Sequence, residues 1–175
     1  MKKLLVLVGL LTIAPLGLSA AIADDVLAAR FDGGIGVQPV VINPTTFVAS
    51  ANVVRGVQPG GAPWVVRSLK ARLEIDGEFE ARGLGLVLAA AGARIGTRGD
   101  LSTVRALVFC GTSNTAHVSA PAALDIDGDF KIEGTLTPPA GPTCPTPTLL
   151  IVVGAGTDAS PFRWLAAGIP DNDDK

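Results

Sequence analysis

Tyrosine is absent from this chain of 175 residues, histidine occurs once and cysteine twice. That supply falls short of the ligand set of a Cys/His zinc site. Charge is scarce too: 14 Lys plus Arg stand against 16 Asp plus Glu, a net of −2, and only 17% of the residues are charged. No concentrated basic face follows from such a balance, so nucleic acid has no electrostatic purchase. Low charge beside 48% hydrophobic residues excludes a disordered chain. No long apolar run follows the first 23 residues, so no membrane span is expected after them. The length suits one domain rather than two independent cores.

Present instead are 21 Gly and 13 Pro without a collagen period, so the chain turns often. At the N-terminus, Met1-Lys2-Lys3 is followed by an apolar run from Leu4 to Ile13, by Pro15 and Gly17, and by Ala21-Ile22-Ala23. A positive start, a short apolar stretch and a small-x-small end describe a secretory signal peptide, residues 1–23, cut after Ala23 or after Ala20. No twin-Arg pair precedes the run and no Cys lies near the cut. The exported chain then carries 12 basic and 16 acidic residues, the two lost charges being Lys2 and Lys3. Residues 24–170 are expected to form a single domain, and residues 171–175, with Asp171, Asp173 and Asp174, a solvated acidic tail. A secreted or periplasmic location follows.

Export governs how the two cysteines are read. An oxidising compartment favours a disulfide between Cys110 and Cys144. It would clamp the Pro-rich loop 138–147 against the end of the strand-like run Val104 to Cys110. A catalytic or redox thiol is the competing reading; no C-x-x-C motif supports it.

Apolar alternation with period two recurs along the exported part, and long helical periodicity does not. Leu69, Ala71, Leu73 and Ile75 share one face, with Ser68, Lys70, Arg72 and Glu74 on the other. Phe79 and Ala81 repeat the pattern, as do Phe130, Ile132 and Leu136. Further strands are expected at 36–42, 47–54, 104–110, 117–120, 149–153 and 162–167. Residues 26–31 fit a helical turn or a first strand. Residues 84–93 read as a strand buried on both faces. One dry and one wet face describe antiparallel sheets. Many short strands with frequent turns suggest a sandwich or a small barrel. The expectation is an all-β, antiparallel β-sandwich, immunoglobulin-like or related, of about eight or nine short strands.

Leu73-Glu74-Ile75-Asp76-Gly77-Glu78-Phe79 is echoed by Leu124-Asp125-Ile126-Asp127-Gly128-Asp129-Phe130. Asp-Gly between alternating runs marks a hairpin. A two-residue loop at Asp76-Gly77 would mix the dry and wet faces. A three-residue loop, Ile75-Asp76-Gly77, sets Leu73 opposite Phe79 and Arg72 opposite Glu80. Gly77 and Gly128 then occupy the left-handed position of a type I turn with a G1 bulge. That register also sets Glu74 opposite Glu78 and Asp125 opposite Asp129. Asp125, Asp127 and Asp129, or Glu74, Asp76 and Glu78, could offer oxygen ligands to Ca²⁺, but their spacing is not that of an EF-hand. A solvated acidic tip is the plainer reading, and no metal or other cofactor is assigned.

Chemistry-bearing motifs are missing. Neither Gly33-Gly34-Ile35-Gly36 nor Gly154-Ala155-Gly156 completes a nucleotide loop. His117 follows Ser113 and Thr115 closely enough for a Ser–His pair, though a lone strand His is usually structural. Ser68 and Lys70 share a strand face with charged neighbours, where Lys makes a poor base. Trp64 and Trp164 are candidates for stacking against a sugar, with burial in the core as the alternative.

Trp64-Val65-Val66-Arg67, the Cys110-Gly111 pair, the Asp-Gly hairpins and a Pro-flanked Cys144 before Leu149-Leu150-Ile151-Val152-Val153 together resemble small exported all-β proteins of bacteria. The resemblance implies a fold type and a compartment and carries no active site. The function expected is that of a non-catalytic module with a binding or structural role, its partner an extracellular protein or a glycan. A small secreted hydrolase or carbohydrate-active protein is the alternative.

Overall fold

A computed structural model describes residues 27–171. The expected signal peptide, residues 24–26 and the last four residues of the acidic tail lie outside the described residues.

The described chain is all-β and contains one short 3₁₀ turn, Gly92–Arg94. In chain order the strands are β1 (Leu27–Gly36), β2 (Val40–Ile42), β3 (Ala49–Ala51), β4 (Gln58–Pro59), β5 (Trp64–Val65), β6 (Ser68–Glu74) and β7 (Glu78–Leu84). There follow β8 (Val87–Leu88), β9 (Thr103–Phe109), β10 (His117–Val118), β11 (Ala122–Ala123), β12 (Phe130–Thr135), β13 (Thr148–Val153) and β14 (Arg163–Pro170).

Ten of these strands form one sheet along the path β10-β9-β13-β14-β1-β6-β7-β12, with β11 beside β9 and β4 beside β14. Neighbours are antiparallel throughout, except that β4 runs parallel to β14. The sheet curls like a barrel wall until its two ends touch. Val118 and Thr137 exchange backbone hydrogen bonds of 2.9 and 2.8 Å, and Leu124 bridges to Phe130. Alternation gives every strand a dry side but does not say whether the strands divide into two stacked sheets or follow one curved path. Here ten of the fourteen described strands join in one curved sheet, and β2–β3 and β5–β8 form two separate two-stranded sheets. Bulges in β1 and between β13 and β14 raise the local twist. Glycines at core-facing positions leave room for the bend: a Cβ on Gly83 would overlap the Phe130 ring.

Across one wall the registers Phe31↔Ala71, Ala71↔Ala81 and Ala81↔Ile132 carry a row of apolar side chains through β1, β6, β7 and β12. The opposite face of that wall is wet and charged. The rows Arg30, Arg72, Glu80, Glu133 and Asp32, Lys70, Arg82, Lys131 cross the same four strands. Glu80 lies 3.2 Å from Arg72 and 2.7 Å from Arg82, and Lys131 pairs with Glu133. The other wall is dry on both sides. Leu107, Val108, Leu149, Leu150, Ile151 and Val152 are all fully buried. The 52–60 segment holds to this wall. Trp164 Nε1 donates to the Asn52 carbonyl at 2.9 Å, and Arg55 donates to the Gly111 carbonyl at 2.7 Å.

One expectation changes and one open alternative is decided. Residues 84–93 are not one buried strand: β7 ends at Leu84, Gly85 turns the chain at φ +65°, and only Val87–Leu88 is extended before the 3₁₀ turn. Three consecutive Ala bring little apolar area to bury, and residues 90–93 are exposed. Of the stretch 26–31, the described residues 27–31 are strand, part of β1.

Candidate functional site

The cysteines pair as expected. Cys110 and Cys144 form a disulfide with their Cα atoms 4.6 Å apart. It ties the Pro-rich loop to the end of β9. Arg55, which the sequence pattern did not single out, braces the same corner through Gly111 and through Thr148 Oγ1 at 3.3 Å.

Both Asp-Gly turns take the expected shape. Leu73 faces Phe79 and Arg72 faces Glu80, so the loop has three residues. Gly77 has φ +92° and donates to the Glu74 carbonyl at 3.0 Å; Gly128 has φ +80° and donates to that of Asp125 at 3.1 Å. At the first tip Asp76 Oδ1 accepts from the Glu78 N–H at 3.0 Å. At the second, Asp125 Oδ1 accepts from the N–H groups of Asp127 and Asp129, both at 2.9 Å. Asp129 Oδ1 accepts from the Gly85 N–H at 2.7 Å, so this tip also anchors the chain after β7. Carboxylates spent on the backbone this way are poorly placed to converge on a cation. Among the described residues no group of three His, Cys, Asp or Glu side chains is arranged to hold a metal ion.

The remaining candidates are not brought together. His117 Nδ1 lies 2.9 Å from the Pro138 carbonyl, which requires that nitrogen to carry the proton. Ser113 Oγ donates to Thr115 Oγ1 at 2.9 Å. Lys70 pairs with Asp32 at 3.1 Å rather than with Ser68. Trp64 and Trp164 are both buried, at 5% and 4% exposure, so neither presents an open face for a sugar to stack on.

What the sequence pattern did not reveal is a cleft of about 620 Å³ lined by Trp64, Leu88, Leu101, Val153 and Leu165 together with Arg94, Arg98, Arg163 and Asp100. Its walls are fixed by backbone bonds. β4 lies beside the start of β14, and Gly60 donates to the Trp164 carbonyl at 2.8 Å. β5 pairs with β8, setting Trp64 opposite Leu88. Trp64 donates its N–H to Val37 at 3.0 Å, and Val37 donates to Leu165 at 2.8 Å, which ties the two walls together. The rim is the loop after β8. Leu88 donates to the Thr97 carbonyl and accepts from the Gly96 N–H, both at 2.9 Å, and Thr97 Oγ1 donates to the Arg94 carbonyl at 2.8 Å.

The cleft has an apolar wall and a cationic rim. Arg94 Nη1 meets Asp100 Oδ2 at 2.5 Å, and that carboxylate is 90% exposed. Arg98 and Arg163 have no ion pair with any described residue, and Arg98 Nε is buried without a hydrogen-bond partner. Trp64 Nε1 donates to no described group, whereas its counterpart in Trp164 is bonded to Asn52. A local signal for this site was thin. Arg94 and Arg98 sit in a Gly-rich stretch that reads as a turn, and Arg163 lies far along the chain.

Fold and site define an all-β protein with a curled antiparallel sheet, one disulfide and a ligand-sized cleft against one of its walls. No family model, curated protein or solved structure matches the chain. Among the described residues no helix is long and apolar enough to cross a membrane.

Proposed function

We propose that the chain is an exported, non-catalytic β module that works by holding a small ligand in the cleft beside Trp64. The observation that carries this reading is the cleft itself: about 620 Å³, with a mostly apolar lining and a few polar donors. Ligand sites typically run from roughly 300 to 1,000 Å³ with that kind of lining. Export rests on the pattern of residues 1–23 and draws support from the disulfide, since such bonds persist in oxidising compartments. The location proposed is the periplasm or the medium around a bacterial cell. Residues 24–170 act as one domain, in which opposed walls of the curled sheet do the work of the two layers of a sandwich. A binding role is preferred to hydrolysis because His117 and Ser113 spend their polar atoms on different partners.

Gly61 lines the cleft, and a Cβ there would meet nothing within 4 Å. Gly61→Phe therefore plugs the site without crowding the core. Thermal melting of the full chain against a panel of neutral sugars, organic cations and organic anions tests the reading. At least one ligand class should raise Tm in the native chain and fail to do so in Gly61→Phe. A panel without effect, or a rise that survives the plug, overturns it.

A further inference from the structure

We propose that the ligand of this cleft is a small amphipathic organic anion: one carboxylate or phosphate head held by Arg98 and Arg163, and a short apolar body against Trp64, Leu88, Leu101 and Leu165. The inference rests on the binding role proposed above and adds the chemistry of the occupant.

Charge comes first. Four ionisable residues line the cleft, three of them arginines and one Asp100. The Asp100 carboxylate is engaged with Arg94 and faces solvent. Arg98 and Arg163 are left as positive groups with no acidic partner among the described residues. In a chain with a formal net charge of −2, a local surplus of cations beside apolar walls is not an average property of the surface. The charged wall of β1, β6, β7 and β12 shows the contrast, because there Arg72 and Arg82 are each paired with Glu80.

Hydrogen bonding comes second. A buried polar atom without a partner costs free energy, and a guanidinium N–H costs more than a neutral one. Arg98 Nε is such an atom. With that edge of the guanidinium turned toward the cleft, a carboxylate or phosphate would satisfy it, since either matches the planar fork of arginine with two acceptor oxygens. Trp64 Nε1 offers a further donor on the same lining. A cationic ligand would meet like charge, and a neutral sugar would leave the guanidinium surplus unused.

Shape comes third. Trp64, Leu88, Val153 and Leu165 give the cleft an apolar side that an inorganic anion would leave unfilled. Head and body together account for both kinds of lining.

Isothermal titration calorimetry on the full chain tests this with five probes: octanoate, octyl phosphate, octylammonium, octyl glucoside and inorganic phosphate. The proposal expects saturable binding of octanoate or octyl phosphate, the stronger of the two identifying the head. It expects binding at least about tenfold weaker for octylammonium, octyl glucoside and inorganic phosphate, because a charge-assisted hydrogen bond is worth that much or more. Arg163→Gln changes an exposed side chain and should fold normally; it should weaken the anion about tenfold, as should Arg98→Gln. Arg72→Gln, on the outer wall, should leave binding unchanged. Equal binding of octyl glucoside, abolished by Gly61→Phe, would overturn the anion and leave the binding role standing. Inorganic phosphate binding as tightly as octyl phosphate would overturn the apolar body. No binding of any probe, or anion binding indifferent to Arg163→Gln, would overturn the proposal outright.

Discussion

Gly77 and Gly128 hold the same turn position with φ of +92° and +80°, yet they should answer differently to the same substitution. A Cβ on Gly77 would find only the Ala140 carbonyl, at 3.9 Å. Gly77→Ala therefore bears the cost of the left-handed backbone alone, about 1 kcal/mol. A Cβ on Gly128 would overlap the backbone of Leu86, which itself donates to the Gly128 carbonyl at 2.8 Å. Gly128→Ala should cost clearly more, about 2–4 kcal/mol, because strain and overlap add. Urea unfolding of the two variants checks the order; equal losses would contradict it. Glu80 supplies a second test at this scale. The hydrogen bond from Arg82, and behind it the charges of Arg82, Arg72 and Lys131, outweigh partial desolvation and hold its carboxyl below the ordinary value. A folded-state pKa below the unfolded one stabilises the fold above the unfolded pKa, and the gain is lost as pH falls through the lowered value. Glu80→Gln should thus be less stable than the native chain at neutral pH. The gap should close as pH falls past the carboxylate range. Unfolding curves across pH measure it.

Elements differ in how much they contribute. The Cys110–Cys144 link closes a separation of 34 residues. Replacing both cysteines by Ala should cost about 3–4 kcal/mol in the chain-entropy account, seen as a lower urea midpoint. The β2–β3 hairpin should contribute little. Every residue of both strands is exposed, with Ile42 at 64% and Phe47 on the connecting turn at 81%. Ile42→Thr and Phe47→Ser should each shift stability by less than about 0.5 kcal/mol. A loss of several kcal/mol in thermal or urea unfolding would show that the hairpin packs against something. Legibility in the sequence follows the same division. β6, β7 and β12 were readable because each alternates cleanly between Leu, Ala, Phe or Ile and a charged residue, and parity then gave the register at Leu73 and Phe79. The stretch after Leu84 was not, because an apolar run rich in Ala has no period to read and its breaks lie at Gly85 and Gly92, where φ is positive. The disulfide was legible because only one pairing exists.

For the whole molecule, alternation fixed which side of each strand is dry but not the path of the sheet. A curved wall and a pair of stacked walls bury the same faces, and the contact that brings the ends together is the Val118–Thr137 pair, in residues without a strong pattern. The cleft was hidden for a related reason. Arg94, Arg98 and Arg163 become neighbours only when β4 settles beside β14 and β5 beside β8. The chain has only two indole N–H groups. One belongs to Trp64, a lining residue of the cleft; the other, in Trp164, is bonded to Asn52 outside it. A proton–nitrogen correlation spectrum of the labelled chain, recorded while octyl phosphate is added, reads both at once. The account predicts that the Trp64 indole signal moves and saturates while that of Trp164 stays in place. Two signals that move together, or two that never move, would contradict it.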